Sequence, residues 1–327
     1  MRPGTMAVLL LLLLGAAACG PSGPDGAAAP HEGTAPIADL QPATLDAGEK
    51  LQVVATTNIV GDVVGRVGGD RIELMPLMGI GVDPHSYVPA PSEVAAVHDA
   101  DLVFLNGGGL EDGLENVLES AGGEAPRVEI SQGIQFRPAE GEAHAGEDDH
   151  GHEELDAHVW FSVPNVIHWV ENARQALSLR DPGNADAYQA NAEAYTRELE
   201  ELDAWIHAQV EAIPEENRKL VTNHASFGYL AERYGLEQVG TVYPFNPSAE
   251  PSARAIAGLQ EIIQRHGVPA IFTESTVNAK LAEQVAADTG ARLVPLYTGS
   301  LGGPGSGAET YVELMRYDVT AIVEALR

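Results

Sequence analysis

Three histidines carry the chemistry that this chain can be read for. His85 lies in Val82-Asp-Pro-His-Ser-Tyr87, His158 in Leu155-Asp-Ala-His-Val-Trp160 and His224 in Val221-Thr-Asn-His-Ala-Ser-Phe227. Each segment reads as a short turn after a strand. Neutral imidazole is the commonest metal ligand, and three on one first-row cation leave a single position for water or a carboxylate. Taken singly, each histidine is better explained by a structural or surface role than as a ligand. Together, at loop positions, they predict a bound transition metal, zinc first. A second histidine-bearing tract precedes His158. Residues 140–154 hold His144, His150 and His152 among many carboxylates and no apolar residue larger than alanine. Such a segment cannot bury a face and is expected to be disordered. Its composition favours weak metal capture over an acidic loop with incidental histidines. The remaining histidines, His31 in an N-terminal linker and His98, His168, His207 and His266 in or beside predicted helices, carry no such signal.

The elements that must position these residues alternate between strand and helix. Strands are predicted at Leu51–Thr57, Arg71–Leu77, Asp101–Leu105 and Arg127–Ile130, and helices at Ile59–Val67 and Glu93–Asp99, the latter with Ser92 as N-cap. That alternation argues for a parallel sheet with helices on both faces. A helix over Pro164–Leu179 is broken by Asp181-Pro-Gly-Asn184. Residues 185–212 then lack Gly and Pro and repeat Tyr188, Ala192, Tyr195, Leu199, Leu202, Ile206 and Val210 every three to four positions. This predicts one helix of roughly 40 Å, a stiff spine between two halves. The second half repeats the style of the first, with strands at Lys219–Thr222, Leu236–Val242, Ala270–Thr273 and Arg292–Leu296. The expected architecture is α/β, two Rossmann-like lobes with parallel sheets joined by one long rigid helix. In such sheets ligands gather at the carboxyl ends of the strands. Two histidines fall in the first lobe and one in the second, so a metal held by all three would lie in the cleft and tie the lobes together.

The N-terminus reads as an export signal, residues 1–18. Arg2 supplies a positive start, Met6 to Leu14 an apolar run too short to span a bilayer, and Gly15 to Ala18 small residues. Cys19 follows at once and is the single cysteine of the chain, a placement that resembles a bacterial lipidation site. Residues 19–50, rich in Gly, Pro and Ala, read as a lipidated cysteine and flexible tether. The body then divides into a lobe over 51–184, a connecting helix over 185–213 and a lobe over 214–327. The formal net charge is −30. A phosphate backbone would be repelled, which argues against nucleic acid as a partner, and cations would be attracted.

Several linked motifs resemble the substrate-binding lipoproteins of zinc and manganese ABC transporters. They are Asp83-Pro-His-Ser-Tyr-Val-Pro-Ala-Pro-Ser92, Asp156-Ala-His-Val-Trp160, Thr222-Asn-His-Ala-Ser-Phe-Gly-Tyr229, Glu250-Pro-Ser-Ala-Arg254, Ile271-Phe-Thr-Glu-Ser275 and Thr310-Tyr-Val-Glu-Leu-Met-Arg-Tyr317. The resemblance covers about Leu51 to Arg327. It implies a monomeric, exported, membrane-tethered protein, not an enzyme, that holds a metal by His85, His158 and His224 and passes it to an ABC permease. Histidine at position 224 and the acidic loop point to Zn2+, since manganese favours oxygen donors; Mn2+ or iron is the alternative within the family. The resemblance also implies an aspartate as fourth ligand shortly after the last strand, where this chain has Gly299. Glu274 is the first candidate among protein groups to replace it, with water or a loop side chain as other donors. Its second reading is an acceptor that orients a ligating histidine. Asp156 carries the same two readings, with the orienting role favoured. Two rivals from other classes are a three-histidine zinc hydrolase with Glu274 as general base and a surface adhesin with a structural metal.

Overall fold

A computed structural model describes residues 33–114, 117, 122–139, 155–243 and 251–327. The presumed signal, Cys19 and the histidines of the acidic tract (His144, His150, His152) lie outside these residues. Two four-stranded parallel sheets form the centres of two lobes. In the first, β1 (Leu51–Ala55), β2 (Ile72–Pro76), β3 (Leu102–Leu105) and β4 (Arg127–Glu129) are ordered β2-β1-β3-β4. In the second, β5 (Lys219–Thr222), β6 (Glu237–Thr241), β7 (Ala270–Glu274) and β8 (Arg292–Leu296) are ordered β6-β5-β7-β8. The two orders are the same. In each, the first strand of the lobe is flanked by the second and third, so the switch points lie between β1 and β3 and between β5 and β7. Central strands β3 and β7 are buried along their whole length, as parallel strands covered on both faces must be. Edge strand β2 is partly exposed and ends at Pro76, a residue that edge positions tolerate.

Helices α1 (Asn58–Gly68), α2 (Pro91–Asp99) and α3 (Val163–Arg180) belong to the first lobe. Thr57 caps α1 by accepting from Val60 N at 3.1 Å. The expected cap at Ser92 is corrected: α2 starts two residues earlier, at Pro91, with Ala90 as N-cap. The fixed φ of proline suits the first helical position, and Glu93 reaches back to accept from Ala90 N. Helices α5 (Gly228–Tyr234), α6 (Ala253–His266), α7 (Lys280–Thr289) and α8 (Tyr311–Leu326) belong to the second lobe. Thr310 and Glu313 close a reciprocal cap at the start of α8.

Between the lobes runs α4, Ala185–Glu211, 27 residues long. Its buried residues are Tyr188, Ala192, Tyr195, Leu199, Leu202, Ile206 and Val210. This stripe packs on α1 and α3 of the first lobe and on α5 and α8 of the second. One continuous apolar core therefore crosses both lobes along this helix, and each sheet has its own further cluster on the opposite face.

The reading of residues 19–50 as tether needs one correction within its described part. Ile37 and Leu40 are buried in the core of the first lobe. Ala35 N donates to Arg127 O and Ala43 N to Arg180 O, and Ile37 N donates to the Gln132 side chain. Two large apolar side chains in a polar stretch are enough to dock it, a signal that average composition hides.

Candidate metal centre

Each histidine is placed by a local device that follows from its neighbours in sequence. His85 sits in a 3-10 turn, Pro84–Ser86, in the loop after β2. Asp83 caps this turn, accepting from His85 N at 3.0 Å and from Ser86 Oγ at 3.0 Å. His158 follows the acidic tract, and the described residues flanking that tract meet in an antiparallel bridge between Pro138 and Leu155. Asp156 Oδ1 accepts from both the backbone N (3.0 Å) and Nδ1 (2.8 Å) of His158. His224 stands two residues beyond β5. Glu274, the last residue of neighbouring β7, accepts with Oε1 from His224 N (2.9 Å) and Nδ1 (2.5 Å), and with Oε2 from Thr298 Oγ1 (2.7 Å).

These devices turn the three Nε2 atoms toward one point. His158 Nε2 lies 3.2 Å from His85 Nε2 and 3.2 Å from His224 Nε2. Among the described residues, the donor atoms of these three side chains form a set that could hold a cation, all within 4.8 Å of one another. A Zn–N bond of about 2.0–2.1 Å in a tetrahedron sets neighbouring nitrogens about 3.3 Å apart, close to the observed spacing. Three imidazole lone pairs at this distance repel one another unless a cation or a proton lies between them. His158 and His224 are buried and His85 is partly so. Burial, followed by charge on His158 and His224, pushes His85 down to about 2, so it stays neutral and ready to ligate. Burial would also depress His224, but the Glu274 carboxylate on its Nδ1 outweighs that, and its pKa is raised. The same pairing outweighs the burial of Glu274 and holds its carboxyl below the ordinary value.

The two expectations for Glu274 separate on this geometry. Both of its oxygens are engaged behind the His224 ring, and it is not in the converging set. Asp156 stands in the same relation to His158. Gly299 lies against the loop of His85, where a Cβ would come within 2.7 Å of Pro84 Cδ. A side chain at 299, an aspartate included, would need the Pro84 turn or the 298–301 segment to shift.

Further supports were not legible in advance. Tyr229 of the second lobe donates through its hydroxyl to Asp156 O at 3.0 Å. Asn106, just after β3, donates to Ala157 O at 3.0 Å. Trp160 lies edge-on to His158, with ring centroids 5.2 Å apart, and donates from Nε1 to Thr298 O across the cleft. Tyr229 and Trp160 do fall inside the motifs of their histidines, but nothing in those motifs tells what they touch.

Comparison with known proteins places the whole chain. Residues 53–325 match the family model described as zinc-uptake complex component A, periplasmic. The manganese-binding lipoprotein MntA of Halalkalibacterium halodurans is 38% identical over 284 residues, covering 86% of this chain and 91% of the relative. The iron-binding protein YfeA of Yersinia pestis is 32% identical, covering 89% and 90%. The solved periplasmic zinc-binding protein TroA of Treponema pallidum superposes with a TM-score of 0.75 at 29% identity, covering 85% of this chain and 99% of that one. Membership of a solute-binding family for metal transport sets the hydrolase reading aside. The chain belongs to the zinc-uptake component A family and is a metal-binding substrate-binding protein of the ABC-transporter type, not an enzyme.

Proposed function

We propose that this protein captures Zn2+ outside the cytoplasm between His85, His158 and His224 and hands it to an ABC permease. The observation that carries this reading is the convergence of three neutral-capable Nε2 atoms at 3.2 Å spacing. A set made only of nitrogen donors suits zinc better than manganese, which favours oxygen. Glu274 and Asp156 act in this reading as acceptors that fix the tautomer and aim of His224 and His158, and a water completes the coordination. Protons compete for the same nitrogens, so affinity falls as pH drops through the histidine range. The lobes over 51–184 and 214–327, joined by 185–213, close on the ion from two sides. Cys19 carries a lipid that holds a single copy of the protein at the membrane, and His144, His150 and His152 raise zinc near the cleft.

A second reading, a manganese or iron carrier, is favoured by the metals named for MntA and YfeA. Calorimetric titration of the metal-stripped mature protein with zinc and then manganese separates the two. Tight zinc binding at one site, lost in His224→Ala, with weak manganese binding, supports the zinc carrier. Tight manganese binding moves the protein to the second reading. No tight binding of either metal removes the three-histidine site as the place of capture.

A further inference from the structure

The segment after β8, residues 298–301, touches the supports of all three histidines. Thr298 Oγ1 donates to Glu274, which holds His224. Thr298 O accepts from Trp160, the neighbour of His158. Gly299 packs on Pro84, next to His85. Ser300 and Leu301 then bind the first lobe through Asn58, the first residue of α1. Asn58 Nδ2 donates to Ser300 Oγ at 2.9 Å and to Gly79 O at 3.1 Å, and Asn58 Oδ1 accepts from Leu301 N at 2.9 Å. Ser300 Oγ also accepts from Gly81 N at 2.8 Å and donates to Leu301 O at 2.9 Å. Asn58 is 9% exposed and Ser300 1%, so the Ser300 hydroxyl is closed off from bulk water.

Gly79 and Gly81 belong to the loop that carries His85. Movement of that loop away from the second lobe would carry His85 away from His224 and open the site. The Ser300 hydroxyl, with one donor and two acceptor sites filled, ties that loop to residues 298–301.

We infer that Asn58 and Ser300 form a buried interlobe clasp that holds the His85 loop against residues 298–301 and sets how fast the captured ion is released. They are positioning residues, since neither reaches the ion. Gly299 lets the two segments meet closely beside the clasp, because a Cβ there would come within 2.7 Å of Pro84 Cδ. In this chain a ligand-free position and a tight lobe junction are the same feature. The inference rests on capture between the three histidines.

Truncating one partner leaves buried polar groups unpaired in the closed state, a loss that corresponds to roughly tenfold to hundredfold in rate. The test is stopped-flow transfer of zinc from the full mature protein to a colorimetric chelator, for wild type, Ser300→Ala, Asn58→Ala and the double variant. The expected result is release about 10–100-fold faster in each single variant, association rates changed much less, and a double variant no faster than the faster single one. Wild-type release rates in folded single variants would overturn the clasp, as would additive effects in the double. If the Asn58 variant does not fold, amide exchange in the wild type decides. Gly81 and Leu301 amides should be better protected with zinc than without it, and equal protection in both states counts against the clasp. Failure of the wild type to bind zinc at all would instead refute the three-histidine site itself.

Discussion

An imidazole can offer one nitrogen to a cation in a fixed direction only if its other nitrogen is held. Asp156 does this for His158 and Glu274 does it for His224, each carboxylate taking Nδ1–H and the backbone N–H of the same residue. Partners of this kind are typically worth tenfold to hundredfold in metal affinity. Asp156→Asn is therefore expected to weaken zinc binding by about 10–100-fold while leaving the fold intact, as calorimetry and circular dichroism would show. An unchanged affinity would make Asp156 a loop-forming residue only. The contact of Asp156 with His158 could be read ahead because the two lie two positions apart. Glu274 kept two readings because 50 positions separate it from His224, and only the adjacency of β5 and β7 decides which way its carboxylate faces.

At the scale of elements, the ends of β1 and β3 are tied by a buried carboxylate. Glu111 accepts from Thr56 Oγ1 at 2.6 Å, Asn106 N at 2.7 Å and Gly107 N at 3.1 Å. Burial, with Glu129 nearby, pushes it up from 4.5 to about 7. A carboxyl raised on folding favours the fold while protonated, and that contribution is lost as pH rises from about 4.5 through about 7. The metal-free wild type should thus lose stability relative to Glu111→Gln between pH 5 and 8, by up to about 3 kcal/mol. Urea unfolding at the two pH values measures this, and a pH-independent difference would contradict it. Much at this scale was legible. The apolar period of residues 185–212 marks the buried stripe of α4, and the strand–helix alternation marks two α/β halves. The order of the strands was not, because parallel strands need crossovers whose destination no local pattern records. Nor was the docking of Ile37 and Leu40, since two residues make no period.

The whole molecule carries a net charge of −30, and a field of that sign gathers cations near a cleft. Zinc association should slow several-fold when salt is raised from about 0.01 M to about 1 M, where the screening length shrinks from roughly 30 to 3 Å. Stopped-flow association rates test this; rates indifferent to salt would mean that the field does not reach the site. Contacts across the lobes were the least legible feature of the sequence. The Asn58–Ser300 pair spans 242 positions, and neither residue type hints at the other.

Trp160 has one more consequence. It is one of three tryptophans in the chain, is 1% exposed, and sets its ring edge-on to His158 while its indole N–H reaches into the other lobe. An indole so placed senses both the charge state of the imidazole beside it and the distance between the lobes. The protein thus contains its own optical gauge of cargo: emission should change on loading, and that change should be absent in Trp160→Phe while the other two tryptophans still emit.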